Sequence, residues 1–349
     1  MINAQVIKDL NSSDVTFVSG SVESVATQVL PPDLAKADAL IFVSKADQLE
    51  AALTAQAPII VAHKSISLPS DSKATLFQTG SIQMAMAVIL PLFDGKMNRF
   101  NQEEKIHPQS FVHPTAHLGK NVCIGPFAVI GEHVVIGDGA TIAAGTVVES
   151  FSKVGEHTLL HSHVFVGSHT EIGAHCEIHP HSTLGADGFA FTPPSKTGDL
   201  LKIPQLGRVV IGNHVEIGAN CAIDRAALTE TRIGNGTKFD NFCHVAHNVV
   251  IGEHCVFAAG FKVAGSSHLG NYIMAGGDVS ISDHITICDR VIIAGRSGVT
   301  NDITVAGQYG GYPLEPLRDS LKTLANKKQL SRIRKNLAQV MKHLNLNDE

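Results

Sequence analysis

From Ile106 an aliphatic residue returns every six positions, through Val112, Leu118, Ile124, Ile130, Ile136, Ile142, Val148, Val154, Leu160, Val166, Ile172 and Ile178 to Leu184. The beat resumes at Ile211, Ile217 and Ile223, then runs from Ile233 to Val305, with only Phe239, Phe257 and Ala275 replacing the aliphatic. No ordinary helix or strand has period six, so this pattern constrains the fold more than any other feature. The second position of the hexad is often Gly, as at Gly119, Gly131 and Gly155. The fifth is small, as at Ala128, Thr146 and Cys176. Each hexad then reads as one short strand and one corner, with its first residue inward and its fifth packed beside it. Gly, Asn or Asp near the corner tolerates positive φ. Three hexads close a triangular coil of 18 residues, and parallel pairing stacks the coils at about 4.8 Å. Each buried Ile, Leu or Val contributes roughly 1.5–3 kcal/mol.

Composition agrees with a narrow interior: aromatics are 5% of the chain, there is no Trp, and Gly reaches 31. A net charge of −5 argues against a nucleic-acid partner held by bulk electrostatics. No apolar run is long enough to span a bilayer and the start lacks a secretory pattern, so a cytoplasmic location is expected. Four of the six cysteines, Cys176, Cys221, Cys243 and Cys255, fall on the small inward position and read as buried hydrophobes. Two stretches interrupt the beat, 190–208 and 224–232, and loops leaving a regular solenoid are usual binding features. Residues 1–100 carry no hexads. Ala39–Ser44 and Ile59–His63 read as strands, and Ala46–Ala55 and Ser81–Leu90 as helices, giving a small α/β domain. Residues 101–313 form the β-helix. Residues 314–349 turn helical, with Leu317, Leu321, Leu324, Leu330, Ile333, Leu337, Val340 and Leu344 at helical spacing. That tail holds eight Lys/Arg against four Asp/Glu in an otherwise acidic chain. It reads either as a solvated helix face sealing the β-helix or as a dock for an acidic carrier.

The nineteen histidines sort by repeat position. Nine occupy the fourth position (His133, His157, His163, His169, His175, His181, His214, His254 and His284), four the second and three the sixth. Most are therefore corner residues. His247 alone sits at a third position. Gly265 lies one coil further at the same corner, where its backbone N–H can approach a substrate as an oxyanion donor must. His284 lies two coils and one residue beyond His247, and Asp240 one face back on the same coil. A base, a carboxylate and a donor Gly near one edge suggest acid–base chemistry.

At these residues the chain resembles the UDP-3-O-acylglucosamine N-acyltransferases of lipid A synthesis, hexapeptide-repeat acyltransferases. The resemblance rests on Gly185-Ala-Asp-Gly-Phe-Ala-Phe191, Lys202-Ile-Pro-Gln-Leu-Gly207, Val215-Glu-Ile-Gly-Ala-Asn220, Ile223-Asp-Arg, Asp240-Asn, Ala246-His-Asn-Val249, Ala264-Gly-Ser266 and Ser297-Gly-Val-Thr300. It implies a mainly β fold, a left-handed parallel β-helix with an N-terminal α/β domain and C-terminal α-helices, assembled as a homotrimer with sites between subunits. It implies transfer of a (3R)-3-hydroxyacyl group from acyl carrier protein to the 2-amine of UDP-3-O-acyl-glucosamine. In that scheme His247 is the general base, Asp240 orients it, Gly265 N–H steadies the oxyanion and His284 assists. Phe42 and Asn248 bind substrate in that scheme; Lys45 can meet a phosphate, and the charge of the tail makes Arg318, Lys322, Lys328, Arg332 and Lys335 the candidates to meet the carrier. No metal or resident cofactor is implied, since the 4′-phosphopantetheine arrives on the carrier. The family's uracil-holding run Phe-x-x-Asn-x-x-Tyr reads here Phe42-Val-Ser-Lys45-Ala-Asp-Gln48, so only Phe42 survives. Competing readings are an acyl-coenzyme A-dependent N-acyltransferase of another nucleotide amino sugar, a trimeric zinc protein using His244 and His247, and a non-catalytic scaffold.

Overall fold

The computed structural model describes residues 1–10, 12–69, 71–93, 105–192, 196, 198–311 and 317–344, without the side chains of 317–321 and 324. The chain divides into two compact units, Met1–Gln102 and Glu103–Glu349.

In the first unit five strands form one sheet in the order Val15–Ser19, Thr75–Thr79, Ile59–His63, Ala39–Val43, Gln28–Leu30. Only the first pair is antiparallel. The interior strand Ala39–Val43 is buried throughout, as a parallel strand covered on both faces must be. Its residues alternate between two cores. Ala39, Ile41 and Val43 pack with Leu49 and Ala52 of the helix Ala46–Thr54. Leu40 and Phe42 pack with Ala85 and Ile89 of the helix Ile82–Phe93. That helix runs through Pro91, three residues past the end expected from the sequence. Gln48 caps the N-terminus of its own helix: its side-chain oxygen accepts from the N–H groups of Ser44 at 2.8 Å and Lys45 at 3.1 Å.

In the second unit the hexads become strands of mostly two residues, stacked into three parallel sheets of ten, ten and nine strands. Register follows the 18-residue coil, as in Val129↔Val147 and Thr141↔Leu159. The first-position aliphatics and fifth-position small residues form one continuous core. Where Phe257 replaces an aliphatic, it stacks on Phe239 at 4.9 Å and on Phe261 at 4.1 Å, and Ala275 stands above it in register. Small over large keeps the interior filled without overpacking. Both sequence interruptions appear as longer steps between paired strands. Glu177 pairs with Glu216, 39 residues on, and Glu216 pairs with Lys238, 22 residues on.

The corner residue with left-handed backbone is the fourth of the hexad, and there His is commoner than Gly. All nine fourth-position histidines have φ between 54° and 62°. Such His can be tolerated in that region more readily than β-branched residues, and here they stack along the axis, as in His157–His175–His214 at 5.2 and 5.0 Å. Second-position Gly serves a different purpose. A Cβ on Gly155 would lie 2.4 Å from the carbonyl carbon of Gly173, so the next coil's backbone fills that space. The final element is the helix Leu317–His343, one helix rather than several among the described residues. No helix among them is long and apolar enough to cross a membrane.

Candidate active site

His247 follows the strand His244–Val245 and precedes Val250–Ile251, so it stands at a corner between two sheets. Its imidazole is held on two sides by backbone lacking side chains. A Cβ on Gly265 would lie 2.7 Å from Cε1 and 2.9 Å from Nε2. A Cβ on Gly188 would lie 2.6 Å from His247 Cβ and 2.9 Å from Cδ2. Gly265 arrives from the next coil, as the 18-residue period requires. Gly188 comes from the loop that opens the long insertion. Arg225 fixes that loop, donating through Nε to Gly185 O at 2.9 Å and through Nη2 to Ser168 O at 2.9 Å. Lys202 pairs with Asp187 beside it, and the rings of Phe189 and Phe191 meet edge to face at 5.1 Å.

The tautomer of His247 follows from its neighbour. Asn248 Oδ1 accepts from the backbone N–H of Ala227 at 3.1 Å, which fixes which amide atom faces inward. The same oxygen lies 3.1 Å from His247 Nδ1. An oxygen has no proton to give, so Nδ1 carries the hydrogen and Nε2 keeps its lone pair. The imidazole is thereby set as a base whose free nitrogen faces Gly265.

Third-position N–H groups point out of the corner. Several are capped by an Asp or Asn in the next coil: Lys120 N by Asp138 Oδ1, Glu253 N by Asn271 Oδ1 and Asn271 N by Asp289 Oδ1, each at 2.8 Å. On either side of Gly265, Ala264 N donates to Ile281 O and Ser266 N to His247 O, each at 3.0 Å. Gly265 N itself has no such cap among the described residues, which leaves an uncapped donor on the residue that abuts the His247 ring. His284 N donates to Gly265 O at 3.0 Å, so the exposed His284 corner holds the peptide that follows the donor N–H.

Asp240 does not join this cluster within one chain. Its carboxylate accepts from Asn241 N at 2.7 Å and Ala259 N at 3.2 Å at the preceding corner. It lines a cavity of about 510 Å³ with His179, Glu216 and Lys238 instead. The carboxylate on the His247 side is Asp224, 8% exposed, with Oδ2 3.8 Å from His244 Nε2. Burial pushes its carboxyl above the usual range, while the neighbouring imidazoles of His244 and His247 draw it back and Asp187 adds to the rise. Asp224 and Gly188 were hidden from spacing, because both precede the last longer step in the coil. The Ile223-Asp-Arg and Gly185–Phe191 motifs were the available signal.

The other expected site residues lie apart. Phe42 is only 9% exposed and sits in the first unit's core, so its ring is committed to packing rather than free for a base. Lys45 is exposed at the start of the helix Ala46–Thr54. Lys322, Lys328, Arg332 and Lys335 are exposed along Leu317–His343, Arg332 donating to Gln329 at 3.3 Å. The Arg318 side chain lies outside the described residues.

A β-helix of stacked hexads with a held imidazole at one corner defines a class, the hexapeptide-repeat proteins. The pattern "Bacterial transferase hexapeptide (six repeats)" matches residues 230–260, and that of the "GMPPB C-terminal domain" residues 106–189. Within the class, the resemblance read from the motifs holds in curated relatives. The UDP-3-O-acylglucosamine N-acyltransferase of Methylobacterium sp. (strain 4-46) is 39% identical over 148 residues, 42% of each chain. The UDP-3-O-acylglucosamine N-acyltransferase 2 of Sulfurimonas denitrificans is 44% identical over 131 residues, 37% of this chain and 41% of its own. The chain thus spans less than half the length of these relatives. Among solved structures, the Arabidopsis UDP-N-acetylglucosamine acyltransferase superposes with a TM-score of 0.54 at 29% identity, covering 59% of this chain and 71% of its own.

The Asn248 contact yields a test. Asn248→Ala should lower kcat by roughly 10- to 100-fold, part of the 10²–10⁴-fold worth of a general base. Asn248→Asp keeps an acceptor for both N–H groups and should retain most of the activity. Equal losses in steady-state assays of the two variants would show that the side chain does not act by accepting hydrogen bonds.

Proposed function

We propose that this chain transfers a (3R)-3-hydroxyacyl group from acyl carrier protein to the 2-amine of UDP-3-O-acyl-glucosamine in lipid A synthesis. The observation that carries the reading is His247 held between Gly188 and Gly265 with its Nδ1 proton committed to Asn248. The amine attacks the thioester carbon, forming the C–N bond, and Nε2 takes the amine proton. The oxyanion of the tetrahedral intermediate rests on Gly265 N–H. As the intermediate collapses the C–S bond breaks, and the proton passes from Nε2 to the leaving thiolate of the carrier's phosphopantetheine. Asp224 supplies negative charge toward the imidazolium from within the chain.

The homotrimer in this reading draws support from the last helix. Leu330, Ile333, Leu337, Val340 and Leu344 follow a three–four spacing and are each more than half exposed in the single chain. Such a seam suits helix-to-helix packing between copies. The carrier reading draws support from the basic residues on the same helix. Exposed charge pairs contribute about 0–1 kcal/mol each, but several together steer an acidic partner. Lys328→Glu, Arg332→Glu and Lys335→Glu combined should raise the KM for acyl carrier protein by about tenfold or more and spare kcat at saturation. The variant should respond little to a short acyl-pantetheine donor. Equal losses with both donors, or wild-type preference for acyl-coenzyme A, would remove the carrier from the scheme.

A further inference from the structure

Two second-position residues stand out on the sheet whose strands lead into the Asp240 corner. His161 and His179 stand one coil apart there, with ring centroids 4.8 Å apart and planes 9° from parallel. Glu177 and Glu216 are register partners on adjacent strands of the same sheet. Their side chains converge on the two rings. His161 Nε2 lies 2.8 Å from Glu177 Oε1, His179 Nε2 3.7 Å from the same oxygen, and His179 Nε2 3.2 Å from Glu216 Oε1. The ligand atoms of His161, Glu177 and His179 all fall within 4.8 Å of one another.

These separations have a chemical meaning. Zinc binds imidazole nitrogen and carboxylate oxygen at about 2.0–2.2 Å in tetrahedral geometry, which puts neighbouring ligand atoms about 3.3 Å apart. The three observed separations bracket that edge, His161, Glu177 and His179 forming the close group and Glu216 joining it through His179. Two imidazoles and two carboxylates also balance a divalent charge, and exposure rises from 13% at His161 to 46% at Glu216, so the site is closed at one end and open at the other. We propose that His161, Glu177, His179 and Glu216 bind one divalent transition-metal ion of the zinc class, in contrast to the metal-free chain expected from the sequence. The ion lies outside the His247 cluster and takes no part in acyl transfer. It ties three successive coils together, bridging the 39-residue step between Glu177 and Glu216 from which the Gly188 loop departs. Its effect is to hold the coil register where the insertion leaves the helix.

The test uses the full-length chain, stripped with chelator and titrated with Zn²⁺, then Co²⁺. About one equivalent should bind per chain, Co²⁺ should give the visible absorption of a four-coordinate site, and Zn²⁺ should raise the melting temperature. His161→Gln/His179→Gln should abolish all three effects, and Glu216→Gln, at a half-exposed position, should weaken binding at least tenfold with an unchanged circular dichroism spectrum. Absence of stoichiometric binding at micromolar Zn²⁺ would overturn the proposal. So would binding that survives in the double His variant, or that is unaffected by Glu216→Gln in a folded protein.

Discussion

His247→Ala should lower kcat by at least about 10²-fold, the lower end of what a positioned general base contributes, while the melting temperature stays near that of the parent chain. The two halves of this expectation have separate physical sources. Activity falls because the His247 ring is set between the Gly188 loop and Gly265, with Nε2 rather than the Asn248-bound Nδ1 left to take a proton. Stability holds because the β-helix core is made by first- and fifth-position residues, and His247 is a third-position residue outside it. Thermal unfolding and steady-state kinetics on the same preparation separate the two. Near-normal turnover in a folded variant would remove His247 from the mechanism. Turnover lost together with the fold would mean that the imidazole is structural.

Phe42→Ala should act first on stability. The ring is buried with Leu40, Val61, Phe77, Ala85 and Ile89, and truncating a buried Phe to Ala costs about 3–5 kcal/mol. For a small α/β unit this approaches the whole margin of folding. The expected result is an early unfolding transition of the first unit, with the β-helix transition unchanged, read by calorimetry or hydrogen exchange. A rise in the KM for the nucleotide sugar would then report a damaged unit rather than a lost stacking partner. If the variant unfolded as the parent does, the core assignment of Phe42 would be wrong, and its ring would be free for the substrate role that the sequence run suggested.

The repeat was legible because a β-helix places one inward residue in every six, so the core writes its own period into the chain. The arithmetic also placed Gly265 correctly against His247, since no insertion separates their coils. It failed wherever the step changes. Gly188 and Asp224 reach His247 only because the 39- and 22-residue steps shift them into place, and a fixed period cannot count across such steps. Asp240 was correctly placed one face back, yet a corner of a triangular coil is a separate environment, and its carboxylate is spent on Asn241 and Ala259. The histidines were legible by position but not by reason. Sorting showed that the fourth-position residues form a set, whereas their left-handed backbone and axial stacking emerged only from the fold. The His161–His179 pair was counted with the corner residues because its cross-coil contacts, His161 with Glu177 and His179 with Glu216, span 16 and 37 residues.

The central claim is that His247 draws a proton from an amine that attacks an acyl thioester. The direct measurement is mass spectrometry of the product formed from UDP-3-O-acyl-glucosamine and 3-hydroxyacyl carrier protein, with fragmentation to locate the new acyl group. The expected product carries the second chain on the 2-nitrogen, forms with the wild-type chain, and is at least about 10²-fold slower to form with His247→Ala. An acyl group found on oxygen, or no product from this donor and acceptor pair with a folded wild-type chain, would contradict it.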